Sequence, residues 1–228
     1  MLILAVDTSG PSCGVALLKD ELLCYEATAN NRLTHSVNLM PMVEEAFTKS
    51  GCSMDEVDLF ACVSGPGSFT GVRIGVAAVK GMAMGLSKPC IAVNALEALA
   101  LGVAGEGVVC PIRDARVHQV YGGAFHQGKR LMEDNVWKLN DYLHELKPHG
   151  EKFLFVGDGV RAYKEDIVNA LGERAEFAPP HLNDLKAGAA AMIAFNNQAH
   201  AHSHQELKPL YLRAPQAERE RQKKENHG

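Results

Sequence analysis

The stretch SGPGSFTGVRIG, residues 64–75, holds four glycines and a proline, three of those glycines lying between the apolar run 59–63 and a helix-like run that begins at Val72. A strand, a glycine-rich turn and a helix in that order form the unit in which many α/β proteins hold phosphate. A P-loop needs four residues between its glycines and then Lys followed by Ser or Thr. Here Gly67 and Gly71 enclose three residues, and Val72 and Arg73 come next. A dinucleotide loop running on from Gly65 and Gly67 needs a glycine where Thr70 stands. Both patterns fail. What survives is a permissive backbone, the hydroxyls of Ser68 and Thr70, and Arg73 at a helix N-terminus, where free N–H groups and the dipole favour an anion. Two readings stay open: an anion site, or glycines that let a strand turn sharply into a tightly packed helix.

Outward from this loop the chain reads as an α/β protein. Strand signals at 2–6, 13–18 and 22–28 form a meander, followed by a helix at 36–49, a strand at 59–64, a helix at 72–86, a strand at 91–93 and a helix at 95–103. Strands at 108–113, 119–125 and 131–138, then helix, strand (153–156) and helix, repeat the order βββαβα. The duplication predicts an N-terminal unit over 1–105 and a C-terminal unit over 106–213. A further helix is expected at 184–199, an ordered strand or turn at 209–213, and a charged, frayed tail at 214–228.

Composition bounds the function classes. The chain has 228 residues, 46% of them hydrophobic, and a formal net charge of −4, so it carries no global basic footprint for autonomous nucleic-acid binding. It opens on MLILAVD without a basic leader and holds no apolar span of membrane length, which predicts a cytoplasmic protein with no membrane partner. Six scattered cysteines form no close-spaced metal pattern and read as reduced core thiols.

The first two helices are apolar on more than one face. Leu39, Met40, Met42, Val43, Ala46 and Phe47 exceed the stripe of a helix with one buried side, and the run from Val72 through Val76, Val79 and Met82 leaves only Arg73 and Lys80 charged. Such helices need a cover beyond one sheet, either another chain or another part of a crowded core.

Catalytic constellations are sparse. Asp7, Thr8 and Ser9 follow the first strand, where actin-like nucleotide-binding proteins set an acid and hydroxyls toward phosphate and metal; alone, DTS also reads as a strand-end turn. His35 precedes the first helix. His200, His202 and His204 alternate in AHAHSH, which can capture a metal or simply form a solvated loop. Gly157-Asp158-Gly159 is the one candidate for a second phosphate loop.

LAVDTS at 4–9, VSGPGSFTGVRIG at 63–75, KPCIAVNALEAL at 88–99, IRDAR at 112–116 and PLYLR at 209–213 together are similar to the bacterial TsaB family, also called YeaZ, over almost the whole chain. The resemblance implies an actin/Hsp70/sugar-kinase-like (ASKHA) fold. It implies a non-catalytic subunit that supports a TsaD-like catalytic paralogue in making threonylcarbamoyladenosine in tRNA, beside the anticodon. In that paralogue a related segment supplies two metal-binding histidines, and their positions are taken here by Ala95 and Leu99. Asp7, Thr8, Ser9, Gly65, Gly67, Ser68, Thr70, Gly71 and Arg73 then form a vestigial phosphate loop. Metal and ATP are expected on partner subunits, no cofactor on this chain, and a weak residual affinity for nucleotide is left open. The implied partners are the TsaD-like paralogue, a small TsaE-like ATPase, a second copy of the chain when alone, and tRNA indirectly. Leu39, Met40, Val43, Phe47, Val72, Val76, Val79 and Met82 are the expected partner surface. An autonomous actin-like ATPase or sugar kinase, and a glycoprotease-like peptidase, are the alternatives.

Overall fold

The computed structural model describes residues 1–213, so the expected tail at 214–228 lies outside the described residues. The elements follow as β1 (Leu2–Asp7), β2 (Cys13–Lys19), β3 (Leu22–Ala29), α1 (His35–Ser50), β4 (Leu59–Gly65), α2 (Phe69–Gly85), β5 (Cys90–Asn94) and α3 (Ala95–Leu101). They continue as β6 (Val108–Asp114), β7 (Gln119–His126), β8 (Lys129–Lys138), α4 (Leu139–Leu146), β9 (Phe153–Val156), α5 (Gly159–Leu171), β10 (Ala175–Phe177) and α6 (Ala187–Asn196).

Two five-stranded sheets have the same topology: β3-β2-β1-β4-β5 in one, and β8-β7-β6-β9-β10 when the other is read in the same direction. In each, the first strand pairs antiparallel with the second and parallel with the fourth. The fold is therefore a duplicated, ASKHA-like α/β arrangement. β1 is a central strand buried on both faces, which is why LILAVD is an unbroken apolar run to its last residue. β3 is an edge strand and reads mixed.

Alternate residues of β1 serve two cores. Leu4 and Val6 face α1 and α2, with Leu39, Val43, Val76 and Val79. Ile3 and Ala5 face a second cluster that also contains Leu96 of α3, Ala190 of α6 and Val109 and Phe125 of the other sheet. α6 packs on β1 and β2, while α3 packs on β6 and β7. One continuous core thus links the two sheets, and the loops at the carboxyl ends of β1, β4 and β6 meet at one cleft.

Several elements differ from the sequence expectation, among them β10, which has no counterpart there, and α3, which ends at Leu101 rather than 103. α2 starts at Phe69 rather than Val72, because the Ser68 hydroxyl accepts a hydrogen bond from Gly71 N and caps the helix earlier. The last helix spans only Ala187–Asn196, and a separate 3₁₀ turn holds Gln198–His200. Residues 209–213 join no strand; Leu210 N donates to Ser64 O at 2.7 Å and so ties this segment to the end of β4.

Candidate functional site

The glycine loop closes on the end of β1. Ser68 N donates to Ser9 O at 2.8 Å, and the Thr8 hydroxyl donates to Gly71 O at 2.7 Å. A Cβ on Gly67 would meet Ser9 O, one on Gly71 would meet Thr8 O, and one on Gly75 would meet the Thr8 hydroxyl, all well inside 3.0 Å. Gly67 and Gly71 are required by close backbone approach, and Gly75 by the Thr8 side chain packed against it. Gly65 has φ 121° and lies against Leu210. Asp7, Thr8 and Ser9 are fully buried, and Asp7 Oδ1 accepts from both the amide and the hydroxyl of Ser9. Ser68, Thr70 and Arg73 are exposed.

The group that dominates this site is one the sequence reading did not single out. Arg113, from the end of β6, is only 3% exposed. Its Nη2 lies 4.0 Å from Asp7 Oδ2 and its Nε lies 3.8 Å from Asp158 Oδ1. The guanidinium thus sits between an acid of the first sheet and an acid that follows β9 of the second. Among the described residues, Asp7 Oδ2 and Arg113 Nε and Nη1 have no hydrogen-bond partner. Burial raises the Asp158 carboxyl above the usual carboxylate range, against the opposing pull of Arg113. A cation inside the otherwise apolar run VVCPIR was the available signal, since a central strand rarely buries an unmatched charge.

A divalent cation does not fit between Asp7 and Asp158, because the fixed charge of Arg113 already occupies the space between them. Among the described residues no group of three or more His, Cys, Asp and Glu side chains is placed to hold a metal. His202 exchanges two backbone hydrogen bonds of 2.9 Å with Cys90, so the middle of AHAHSH is tied to the edge of β5 while His200 stays exposed. His35 Nε2 pairs with Gly10 O at 3.0 Å beside the same cleft.

The cleft has a volume of about 730 Å³ and is lined by Ser9, Ser68, Arg113, Arg116, Tyr211 and Arg213, among others. Arg213 Nη1 donates to Ala115 O at 3.0 Å, so residues 209–213 span from β4 to the loop after β6.

The expected partner surface needs correction. Leu39, Val43, Val72, Val76 and Val79 are buried against the chain's own sheet, and Phe47 and Met82 are half-buried. Of the eight, only Met40 is exposed, at 47%. The outer faces of α1 and α2 instead carry Val37 at 57% and Met84 at 61%, together with Pro41, Ala77 and Gly81. The apolar excess of these helices is real, but its inward part is satisfied within the chain.

Ala95 and Leu99 are buried in the core shared by the two sheets, on a helix whose N-cap Asn94 accepts from the amides of Leu96 and Glu97. No helix among the described residues is long and apolar enough to cross a membrane.

A protein-family model described as TsaD, tRNA N6-adenosine threonylcarbamoyltransferase, matches residues 29–221. The tRNA threonylcarbamoyladenosine biosynthesis protein TsaB of Bacillus subtilis is 34% identical, with 96% of each chain covered. The protein of the same name from Escherichia coli is 32% identical over 93% of this chain and 95% of its own.

The chain belongs to the TsaB family.

Solved structures agree. YeaZ from Pseudomonas aeruginosa superposes with a TM-score of 0.72 at 27% identity, covering 92% of this chain and 99% of that one. A ROK hexokinase from Thermus thermophilus, 12% identical with a TM-score of 0.51 over 86% of this chain and all of that one, shares the fold alone. In this TsaB-family chain, β1 ends in Asp7 as the ASKHA-like reading expects, and Arg113 fills the space beside it.

Proposed function

We propose that this chain is a non-catalytic subunit in the biosynthesis of threonylcarbamoyladenosine in tRNA, docking a TsaD-like catalytic paralogue through the outer faces of α1 and α2. The observation that carries the reading is that apolar face: Val37, Met40 and Met84 stand in water beside small residues that let a second helix pair approach closely. A Cβ added at Gly81 would meet nothing within 4 Å, which leaves room for a partner backbone.

Other observations support the same role. Ala95 and Leu99, at the positions matched to the paralogue's metal-binding histidines, are apolar and buried. Relatives that span nearly the full chain are named for this pathway. Arg113 between Asp7 and Asp158 argues against an autonomous kinase or ATPase, whose metal-bound phosphates would need that space. The peptidase alternative is supported by no geometry among the described residues. Chemistry then lies in the paralogue, with a TsaE-like ATPase as a further partner, tRNA reached through the assembly, and the cytoplasm as the setting.

The test is light scattering coupled to size-exclusion chromatography on the chain alone and with the paralogue, with a threonylcarbamoyl-transfer assay on each sample. Activity only in the mixture, with a one-to-one complex displacing a self-dimer, is expected. Turnover by this chain alone would overturn the reading.

A further inference from the structure

We propose that residues 207–213 form a releasable clasp: anchored on the first sheet, they hold the loop after β6 in a strained left-handed turn that relaxes when the clasp lets go. The inference needs no ligand and no partner, and it does not rest on the subunit reading.

The strain lies in the backbone between β6 and β7. Arg116, Val117 and His118 have φ of 63°, 55° and 51° in succession. A positive φ brings a side chain's Cβ against a carbonyl oxygen, and a β-branched residue such as valine suffers most. Hairpins usually fill such positions with glycine or asparagine. The next hairpin follows that rule in part, with Gly128 at φ 75° after Gln127 at 52°. The turn at 116–118 holds no glycine, and Val117 gains no burial in return, since it is 85% exposed. Such a conformation persists only where surrounding contacts impose it.

Most of those contacts belong to the second sheet. Ala115 N donates to Gln119 O at 2.9 Å, Gln119 N to Arg116 O at 3.1 Å and Leu139 N to His118 O at 3.1 Å. Asp114 Oδ1 accepts from Arg116 N and from the Tyr163 hydroxyl. One more contact arrives from the far end of the chain, where Arg213 Nη1 donates to Ala115 O at 3.0 Å.

The segment that carries Arg213 is anchored in grades. Its base is firm: Leu207 is fully buried in the core beneath α1 and α2, and Leu210 N donates to Ser64 O at 2.7 Å. Its tip is held at the surface. Tyr211, 40% exposed, stacks on Phe69 with ring centroids 5.0 Å apart and accepts from Arg73 Nε at 2.8 Å. An exposed hydrogen bond and an aromatic stack are each modest, so the tip can leave without extracting Leu207. A fixed base, a weakly held tip and a strained turn beneath that tip give the loop after β6 two arrangements, with the clasp selecting the strained one.

Amide hydrogen exchange, read by NMR on the full chain without partners, tests this. Arg213→Gln is expected to speed exchange at Ala115, Gln119 and Leu139 about fivefold, the scale of one hydrogen bond. Tyr211→Leu should speed the same amides by a similar factor, although its ring lies on α2 and not on the turn. Val117→Gly should slow them about fivefold by relieving the positive φ, and should restore rates near wild type when combined with Arg213→Gln. Amides of β1 should keep their rates in every variant. Acceleration by one of the two clasp variants without the other overturns the clasp, as do unchanged rates in both or a uniform acceleration that includes β1. Unchanged or faster exchange in Val117→Gly, or no rescue of Arg213→Gln, overturns the stored strain. The paralogue enters none of these measurements, so failure here leaves the subunit reading standing.

Discussion

The Thr8 hydroxyl donates to the carbonyl of Gly71 at 2.7 Å, while the Thr8 carbonyl lies where a Cβ of Gly71 would have to be. The glycine loop is thus clamped to the end of β1 by contacts that only glycine permits. Gly71→Ala is expected to destabilise the fold by about 3 kcal/mol, the upper range for overpacking a site that cannot relax. Gly81→Ala lies in the same helix with open space around it. There the change should stabilise by up to about 1 kcal/mol, because alanine is the better helix former. Urea unfolding of both variants reads the contrast, and equal effects would mean that the loop tolerates a side chain.

Val76 and Met84 occupy the same helix on opposite terms. Val76 is buried in the core formed with β1, and Met84 is exposed. Val76→Glu should therefore unfold the chain, since an unpaired carboxylate in that core costs several kcal/mol. Met84→Glu should leave the melting temperature within a few degrees of wild type while weakening self-association and paralogue binding. Circular dichroism melts with light scattering separate the two; an unaltered dimer for Met84→Glu would move the docking surface elsewhere.

That contrast shows where sequence legibility ended. Apart from the three-residue edge strand β10, the order of strands and helices, the duplication and the turn at residues 64–75 were readable, because apolar runs and glycines mark them locally. Which side of α2 faces its own sheet was not readable: a helix apolar nearly all round has too little contrast to orient it. The same limit hid Arg113. β6 is buried through six successive residues, so alternation gives no inward and outward faces, and the significance of the arginine depends on Asp7 and Asp158, which are distant in sequence. Tyr211 is likewise positioned by partners more than a hundred residues away.

Alkaline stability should report on Cys13. Burial, aided by the charge of Asp7, raises its thiol from 9.0 to about 12. The folded state therefore favours the neutral thiol, and this contribution is intact below pH 9 and lost as pH rises from 9 toward 12. The loss approaches one proton's worth, about 1.4 kcal/mol per pH unit. Cys13→Ala should show a shallower fall over that window in denaturant titrations at fixed pH. Parallel slopes for variant and wild type would show that Cys13 does not titrate on unfolding.

Arg113 joins the halves electrostatically, and its removal should be felt at neutral pH. Arg113→Met keeps much of the stem's bulk but leaves the buried Asp7 and the partly exposed Asp158 without their shared cation. A loss of about 3–5 kcal/mol is expected, the scale for deleting one partner of a buried charge pair. The sign of its pH dependence follows from Asp158. Burial already raises that carboxyl, and Arg113 is the group pulling it down, so the variant raises it further. A raised carboxyl destabilises the fold only where it must ionise, so the deficit should shrink as pH falls from 7 toward about 4, the ordinary carboxylate range. Asp158→Asn in the Arg113→Met background should recover part of the loss at pH 7 and little at pH 4. Urea unfolding at both pH values decides it: a deficit that is constant with pH would mean that Arg113 contributes packing along its stem, with its charge carried by solvent in the cleft.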